Sequence, residues 1–556
     1  MFVGAPDTFS PLPIMLMEQA SESRSLRAPQ GDGQTLVEPP LPSLPEVVAT
    51  NRRLFAQSEY DLQGRSLSDL AGSARRALVE RAIAYTSNYR DVPDRLRGLA
   101  HVADAPFLLS GHQPQLFHPG VWYKNFVLGT LGRRLCGVAV HLLIDSDLCR
   151  SVSIRVPTGT ASQPRVEAVP YDEPAAEVPY EEREIRNNNT FSSFADRVAA
   201  LIGPLVPEPI VESLWPLTLE RNPQQSNIGL RLAQGRHALE ADWGNETLEL
   251  PQSAVCQLPE FHWFVAHLLA HLPRFWSAYN DALAAYRLSH RERSHAHPVP
   301  DLAETDGWLE APFWIWSADD PQRRPLFARQ SGDELVITDR QSRTIRLMIS
   351  AERDAAAAAE QLLDLAARGV KIRTRALTTT LFARLVLSDL FLHGIGGAKY
   401  DQVTDHIAQA FCGFPLPEFA AVSATLRLPV APKHDDVSID PCEQQLRELR
   451  YHPERFIDRD GPAAADERSW AGEIIAAKRR WIETSVTPDN AHRRHLGITA
   501  ANEALQPFVA KTRRQIERQC VERRHFDRAA AILGSRDYAF CIYPRRHLEK
   551  LLSDLR

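Results

Sequence analysis

Two short, unbroken apolar stretches, at residues 105–110 and 137–144, place the tightest limits on how this chain can fold. Between them lie a Gly-His-Gln-Pro loop and a segment of helical periodicity from about Pro119 to Arg134. Strands without alternating polar positions suit a parallel sheet that is covered on both faces, and parallel neighbours need a crossover such as a helix. The order strand, loop, helix, strand therefore predicts an α/β fold with a parallel-sheet core.

The second half of this core is predicted near residue 400. A helix is expected from Leu377 to Leu392, followed by a glycine loop, a second helix to about Phe411 and a strand from Ala420 to Leu428. The region between the two halves contains a long helical segment and then short strand-like segments from Phe313 onward, which predict a small antiparallel layer.

A chain of 556 residues exceeds the size at which one hydrophobic core keeps growing, so several structural units are expected. The first 45 residues are rich in Pro, Ser and Gly, and are predicted to be flexible. The predicted segments are a lead-in (1–45), the first part of the core with an N-terminal helical cap (46–260), a connecting helix and small domain (261–370), the second part of the core (371–435) and a C-terminal helical hairpin or coiled coil (436–556).

Charge and cysteine content exclude several classes of protein. The net charge of -6 and the lack of long single-sign runs argue against a nucleic-acid partner, and no apolar stretch is long enough to span a membrane. The N-terminus lacks the pattern of a secretory signal. The seven cysteines are widely spaced, with no C-x-x-C pair, which is typical of reduced thiols. A cytoplasmic protein that acts on a small molecule is expected.

The loop after the first predicted strand carries the first set of candidate binding residues. Gly111 would allow the backbone to approach a phosphate or carboxylate, and His112 and Gln113 can each donate a hydrogen bond. His118 is a second candidate just before the helix. The alternative is that His112 and His118 are hydrogen-bonded turn residues.

Lys124 interrupts an apolar stripe on the helix that follows. A lysine in that position must either extend to water or face a polar cavity, because burial of an ammonium group is costly. One turn into the helix, it is predicted to contact a phosphate or carboxylate, with extension to water as the alternative.

Two carboxylates, Asp145 and Asp147, follow the second predicted strand. At the carboxyl end of a strand they could hold Mg²⁺, bind an amine or hydroxyl group, or act as a general base. Asp147 could instead cap the following turn. No dedicated metal site is predicted, since His267 and His271 lack both an H-E-x-x-H motif and a cysteine partner.

Three glycines, Gly394, Gly396 and Gly397, form the second candidate loop. They permit positive φ angles and a close approach of the backbone to a ligand, and the helix after them presents its N-terminus. Lys399 and Tyr400 follow within the same segment and are predicted to help bind a cofactor. The pattern is neither a P-loop nor G-x-G-x-x-G.

These two segments together resemble a known family. Residues 108–117, which read Leu-Leu-Ser-Gly-His-Gln-Pro-Gln-Leu-Phe, and the acidic residues Asp145 and Asp147 resemble the first half of the bacillithiol-synthesis cysteine-adding enzymes. The glycine loop through Tyr400 and the segment 422–428 look like that family's second loop and subsequent strand. His112 replaces a family glutamine, and Tyr400 stands in place of a family glutamate.

The resemblance implies a Rossmann-like, nucleotidylyltransferase-like core, a smaller connecting domain and a homodimer formed by a C-terminal coiled coil. It implies a ligase that joins cysteine to a sugar-malate amine, with ATP or ADP and Mg²⁺ as candidate cofactors. His112, Gln113 and Lys124 would hold a phosphate or carboxylate, and Asp145 or Asp147 would accept a proton from the amine. The alternatives are a nucleotidylyl-transfer enzyme and an inert dimeric scaffold that retains the pocket.

Overall fold

The computed structural model describes residues 26–99, 104–294, 297–431, 441–457 and 465–555 of the chain. The described residues form two compact units. Unit 1 draws on the ranges 26–156, 167–427 and 536–555, and unit 2 on 157–166 and 428–535. The fold is mixed α/β, as predicted, with a parallel sheet in unit 1.

The described α-helices are α1 (Leu44–Ala56), α2 (Leu67–Ser87), α3 (Asp94–Leu99), α4 (Pro119–Arg134), α5 (Asn188–Ser192), α6 (Phe194–Ile202), α7 (Val211–Glu220), α8 (Ile228–Asp242), α9 (Gln252–Val255), α10 (Pro259–Ala270), α11 (Leu272–Ser289), α12 (Ala356–Ala367), α13 (Ala376–Phe382), α14 (Ile395–Cys412), α15 (Pro441–Tyr451), α16 (Ala465–Glu483), α17 (Ala491–Leu505), α18 (Ala510–Leu533) and α19 (Arg545–Leu551).

The described strands are β1 (Thr35–Glu38), β2 (Phe107–His112), β3 (Val138–Leu143), β4 (Ser153–Gly159), β5 (Pro164–Pro170), β6 (Leu248–Pro251), β7 (Glu304–Thr305), β8 (Trp308–Ser317), β9 (Asp320–Ser331), β10 (Glu334–Thr338), β11 (Thr344–Leu347), β12 (Val370–Thr374), β13 (Leu390–His393) and β14 (Ala420–Ala424).

The main sheet has the strand order β1-β14-β13-β2-β3-β6. All neighbouring pairs are parallel except the edge pair β1–β14. Every residue of β3 and β14 is buried, because helices cover both faces of the sheet. The two apolar stretches that predicted parallel strands correspond to β2 and β3.

Two crossovers leave the middle of this sheet in opposite directions. The β2–α4–β3 crossover moves toward β6, and the β13–α14–β14 crossover moves toward β1. Phe107 and Leu109 of β2 share an apolar cluster with Val403 of α14. On the other face, a Cβ added to Gly132 of α4 would lie 2.8 Å from the Ala139 side chain of β3. The helices α4 and α14 therefore cover opposite faces, and the strand order reverses between β13 and β2.

The second sheet confirms the predicted antiparallel layer. Its order is β11-β10-β9-β8-β12, with β7 paired to β8. The inward residues Phe313 and Ile315 of β8 belong to the same apolar cluster as Val138 and Val140 of the main sheet. The region predicted as a connecting domain is consequently part of compact unit 1.

The prediction of a flexible lead-in over residues 1–45 is wrong for its described part, and residues 1–25 lie outside the described residues. β1 pairs with β14 from Thr35↔Ala424 to Glu38↔Ala421. Leu26 is buried in a cluster with Ala398 and Phe419. The Pro-rich composition concealed a short edge strand.

The predicted helix from Leu377 to Leu392 is also wrong. Helix α13 ends at Phe382, a π-helical turn covers Ala383–Leu387, and β13 follows. Because the segment is buried throughout, its apolar pattern could not distinguish a helix from a central strand. The glycine loop thus follows a strand.

Unit 2 contains the helices α15 to α18, with α15 packed along α18 and α16 along α17. The predicted C-terminal segment 436–556 extends too far, because residues 536–555 belong to unit 1. There the Phe540 ring stacks on Trp122 of α4 at 5.1 Å. Among the described helices, none combines the length and the apolarity that a bilayer crossing requires.

Candidate functional site

A cleft of about 490 Å³, here called the central cleft, opens at the carboxyl ends of β2, β13 and β14. The β2–α4 loop and the start of α14, which the sequence singled out separately, both line it. In open α/β sheets ligands bind at the point where the strand order reverses, since the two loops diverge there. Of the predicted residues, those that line the cleft are Gly111, His112, Gln113, His118, Gly394, Gly396 and Gly397.

The N-terminus of α14 is the part of the central cleft that best suits an anion. Its N-cap, Gly394, provides no side-chain cap, and the first intrahelical hydrogen bond joins the Ala398 N–H to the Gly394 carbonyl at 2.9 Å. The N–H groups of the three residues between them have no partner within the helix. A Cβ added to Gly394 or Gly396 would meet no atom within 4 Å. Uncovered N–H groups beside open space suit a phosphate or carboxylate.

The expectation of positive φ angles in this loop is wrong. Gly394 has a φ of -74°, and neither Gly396 nor Gly397 is among the residues with positive φ. Space requires glycine only at the last of the three positions, because Gly394 and Gly396 border open space. At Gly397, a Cβ would lie 2.9 Å from Nδ1 of His393.

His118 caps the opposite helix, α4. Its Nδ1 accepts a hydrogen bond from the Gly120 N–H at 3.1 Å, so the neutral ring carries its proton on Nε2. Burial and the charge of Arg536 lower the pKa of His118 to about 4. His118 is therefore a neutral donor at the edge of the central cleft.

His112 has the opposite tautomer. Its Nδ1 lies 3.1 Å from the Gln113 carbonyl, which can only accept, so Nδ1 donates and Nε2 is unprotonated in the neutral ring. Burial and the charge of Lys124 lower its pKa to about 3, although the hydrogen bond to Gln113 opposes them. The alternative prediction is confirmed, because both histidines are hydrogen-bonded turn residues. Both also line the cleft, and their contact with a ligand stays a prediction.

Lys124 neither extends to water nor lines the central cleft. The side chain is 1% exposed, and its Nζ donates to the Gly111 carbonyl at 2.7 Å. Burial and repulsion from Arg236 lower its pKa to about 7. The predicted direct contact with a ligand is thus corrected to an indirect one, in which Lys124 holds the end of β2 and adds positive charge below His112.

Asp147 is occupied by neighbouring groups. Its carboxylate accepts hydrogen bonds from Nε2 of Gln113 at 3.0 Å, from the Leu148 N–H at 2.9 Å and from Arg323 at 3.3 Å. The alternative prediction, that Asp147 caps a turn, is confirmed. This hydrogen bond also fixes the side chain of Gln113, which was predicted from the sequence to contact the ligand.

Asp145 does not line the central cleft but a neighbouring cleft of about 630 Å³, together with Glu181, Lys371 and Arg373. The Ser253 N–H donates to the carboxylate of Asp145 at 2.9 Å, and the Ser253 hydroxyl group donates to it as well. Burial and the nearby charge of Glu181 raise its pKa to about 7. The two predicted aspartates therefore do not converge on the glycine loop.

Lys399 and Tyr400 also lie away from the residues that line the cleft. Lys399 is exposed on α14, and the Tyr400 ring packs edge-on against His297 at 5.3 Å. Because α14 begins at Ile395, both residues lie in its second turn. Neither side chain is among those that line the central cleft.

The sequence analysis assigned no separate role to His393 or Asp401, which flank the glycine loop. His393 ends β13 and lines the central cleft, and its Nε2 lies 2.9 Å from Oδ2 of Asp401 on α14. A strand assignment for residues 390–393 would have placed His393 at the carboxyl edge of the sheet. Arg536, from the C-terminal segment of unit 1, also lines the cleft, and no local pattern could have indicated it.

Comparisons with known proteins add no assignment. No protein-family model matches the chain. No curated protein matches it significantly. Within the described residues, no group of three or more His, Cys, Asp or Glu side chains is arranged to hold a metal ion.

Proposed function

We propose that the protein is a ligase with a Rossmann-like core that forms a C–N bond between an amino acid, cysteine, and a small amine such as a sugar-malate. The observation that carries the proposal is that the two loops on which the family resemblance rests line one cleft at the reversal of strand order. The resemblance supplies the substrates, and the geometry supports a small anionic ligand.

The donors around the central cleft favour a phosphate or a carboxylate. They include the uncovered N–H groups of α14 and the Nε2–H of His118, with the buried charge of Lys124 behind His112. Both a nucleotide and a malate moiety carry such groups. A fixed set of donors in a partly enclosed cleft binds an anion more strongly than the same donors in water.

The candidate cofactor, ATP or ADP with Mg²⁺, fits this donor set. Open space beside Gly394 and Gly396 lets a phosphate approach the start of α14. Mg²⁺ bound to a nucleotide needs only one or two protein carboxylates, and Asp537 lines the same cleft. When bound, the nucleotide would supply the activation of the carboxylate.

The predicted proton acceptors need revision. Asp147 is engaged by three donors, and Asp145 faces the neighbouring cleft. Asp145 is instead assigned to the amine of a second substrate, because its carboxylate lines that neighbouring cleft. The Gln113–Asp147 hydrogen bond connects the loops that border the two clefts.

A nucleotidylyl-transfer enzyme is the second candidate. It is favoured by His118, a residue that lines the cleft and whose Nε2–H is a neutral hydrogen-bond donor that suits an anion. Release of pyrophosphate from a nucleoside triphosphate without any requirement for an amino acid would support this function over the ligase.

Unit 2 is proposed to be a helical hairpin that pairs two copies in a coiled coil. Trp470, Val521 and Phe526 are exposed there. Sedimentation equilibrium tests this assembly: a dimer that a Val521→Lys variant weakens supports the proposal, and a monomer at all concentrations contradicts it.

The ligase proposal is tested by incubating the protein with cysteine, glucosaminyl-malate, ATP and Mg²⁺, and detecting the amide product by mass spectrometry. Product that requires all three substrates supports the proposal. Product formation should be lost in Gly396→Glu, which places a carboxylate at the start of α14.

A further inference from the structure

His393 occupies a position that an ordinary core histidine does not. It is 5% exposed at the carboxyl end of β13, yet its ring lines the central cleft. The rings of Phe391 and Phe419 lie 4.6 Å and 5.1 Å from it, and they fix its plane. Buried polar side-chain atoms usually find a hydrogen-bond partner in the protein.

Only one of its nitrogens has such a partner. Nε2 of His393 lies 2.9 Å from Oδ2 of Asp401. Nδ1 has no hydrogen-bond partner in the part of the chain that the structure describes, and it lies beside Gly397 in the first turn of α14. The free nitrogen is therefore at the place where an anionic ligand would meet the helix.

Asp401 determines which nitrogen carries the proton. Burial disfavours its charge, but Arg384, His393 and a hydrogen bond from Thr380 outweigh burial and keep the pKa of Asp401 well below its usual range. Nη1 of Arg384 donates to the same carboxylate at 2.7 Å. An ionised carboxylate can only accept, so Nε2 of His393 must donate, and Nδ1 of the neutral ring keeps its lone pair.

We propose that His393 is the general base of the central cleft, with its Nδ1 as the proton acceptor and Asp401 as the positioning residue. This inference rests on the proposed ligase function. It gives the cleft the proton acceptor that neither Asp145 nor Asp147 can supply from its observed position.

In the proposed amide-forming step, the amine nitrogen bonds to the carbon of a carboxylate that has been activated as a mixed anhydride with phosphate. The bond from that carbon to the bridging oxygen breaks, and the phosphate group leaves with the electron pair. The proton lost by the amine passes to Nδ1 of His393, and the charge of the resulting imidazolium is stabilised by Asp401.

The main test compares the turnover of the full chain with that of His393→Ala, with His406→Ala as the control. His406 lies on α14, the helix that follows His393, but is not among the residues that line the cleft. We expect kcat of His393→Ala to fall by about 10²- to 10⁴-fold with little change in ligand affinity, and added imidazole to restore part of the activity. The control should retain full turnover.

A measurement on the unmodified protein covers the case in which His393→Ala does not fold. Nitrogen-15 NMR of the histidine rings should show His393 with a proton on Nε2 and none on Nδ1 in its neutral form. In Asp401→Asn, whose amide can donate, loss of this tautomer preference is expected if Asp401 acts by positioning.

The outcomes separate the two proposals. Full turnover in His393→Ala, or a proton on Nδ1 of neutral His393, overturns the assignment of the base and leaves the ligase function standing. If the unmodified protein binds ligands but forms no amide, the ligase function fails, and the reaction assigned to His393 fails with it.

Discussion

The Nζ of Lys124 donates a 2.7 Å hydrogen bond to the carbonyl of Gly111, and so joins the first turns of α4 to the end of β2. This contact positions the loop that carries His112. Burial makes it costly, because the ammonium group has left water, and a buried charge without a carboxylate partner favours the neutral form.

Replacement of Lys124 by methionine should change how stability depends on pH. The folded-state pKa of about 7 lies below the ordinary lysine value of 10.5, so the unfolded chain binds more protons between these values. Wild-type stability relative to Lys124→Met should therefore rise from pH 7 to pH 10, by about 1.4 kcal/mol per pKa unit of the shift. Urea unfolding at several pH values measures this, and a constant difference would contradict the assigned burial.

His112 should make the protein sensitive to acid. Its folded-state pKa of about 3 lies below the ordinary histidine value of 6.5, so the unfolded chain takes up a proton first as the pH falls. Between pH 7 and pH 5 the wild type should lose about 2 kcal/mol relative to His112→Gln. Chemical unfolding at both pH values tests this. The matched variant His525→Gln changes an exposed residue and should follow the wild type.

Gly396→Glu should abolish anion binding without unfolding the protein. The new side chain enters open space, and a carboxylate in the first turn of a helix favours the helix. Gly472→Glu is the control, because it adds the same side chain in open space on α16. Calorimetric titration with ADP should show at least a tenfold weaker affinity for Gly396→Glu only. Equal affinity in both variants would place the anion elsewhere.

Arg384 should be among the most sensitive positions for stability. It is 2% exposed and donates to Asp401 and to Asp405, each at 2.7 Å. Arg384→Met leaves Asp401 buried without its main counter-charge, and should cost about 3–5 kcal/mol. Arg346→Met breaks the exposed pair with Glu334 and should cost less than about 1 kcal/mol. Denaturant unfolding of both variants gives the comparison, and similar losses would refute the difference.

The sequence predicted the elements whose periodicity is local. The strands β2 and β3, the helix α4 and the antiparallel layer were all indicated by apolar patterns of the right length. Residues 377–393 were not assigned correctly, because a helix, a π-helical turn and a strand that are all buried share one continuous apolar pattern.

The sequence predicted the two loops of the candidate site, but not which side chains contact one another within it. Gly111 and Gly394 were found because glycine beside a helix start has a local signature. Two features depend on the directions of side chains in three dimensions. They are the hydrogen bond from Lys124 to Gly111 and the position of Asp145 in the neighbouring cleft. Arg536 and Asp537 reach the cleft from a segment more than 100 residues beyond the other lining residues, which no periodicity encodes.

The central claim is that the central cleft binds a small anionic ligand. The most direct measurement is the shift in thermal unfolding of the full chain with ATP, ADP, malate and glucosaminyl-malate, each with and without Mg²⁺. A ligand at a hundred times its Kd stabilises the folded state by about 2.7 kcal/mol, which should raise the Tm by a few degrees. We predict such a rise with a phosphate- or malate-bearing ligand, and its loss in Gly396→Glu. No rise with any of the four ligands would contradict the claim.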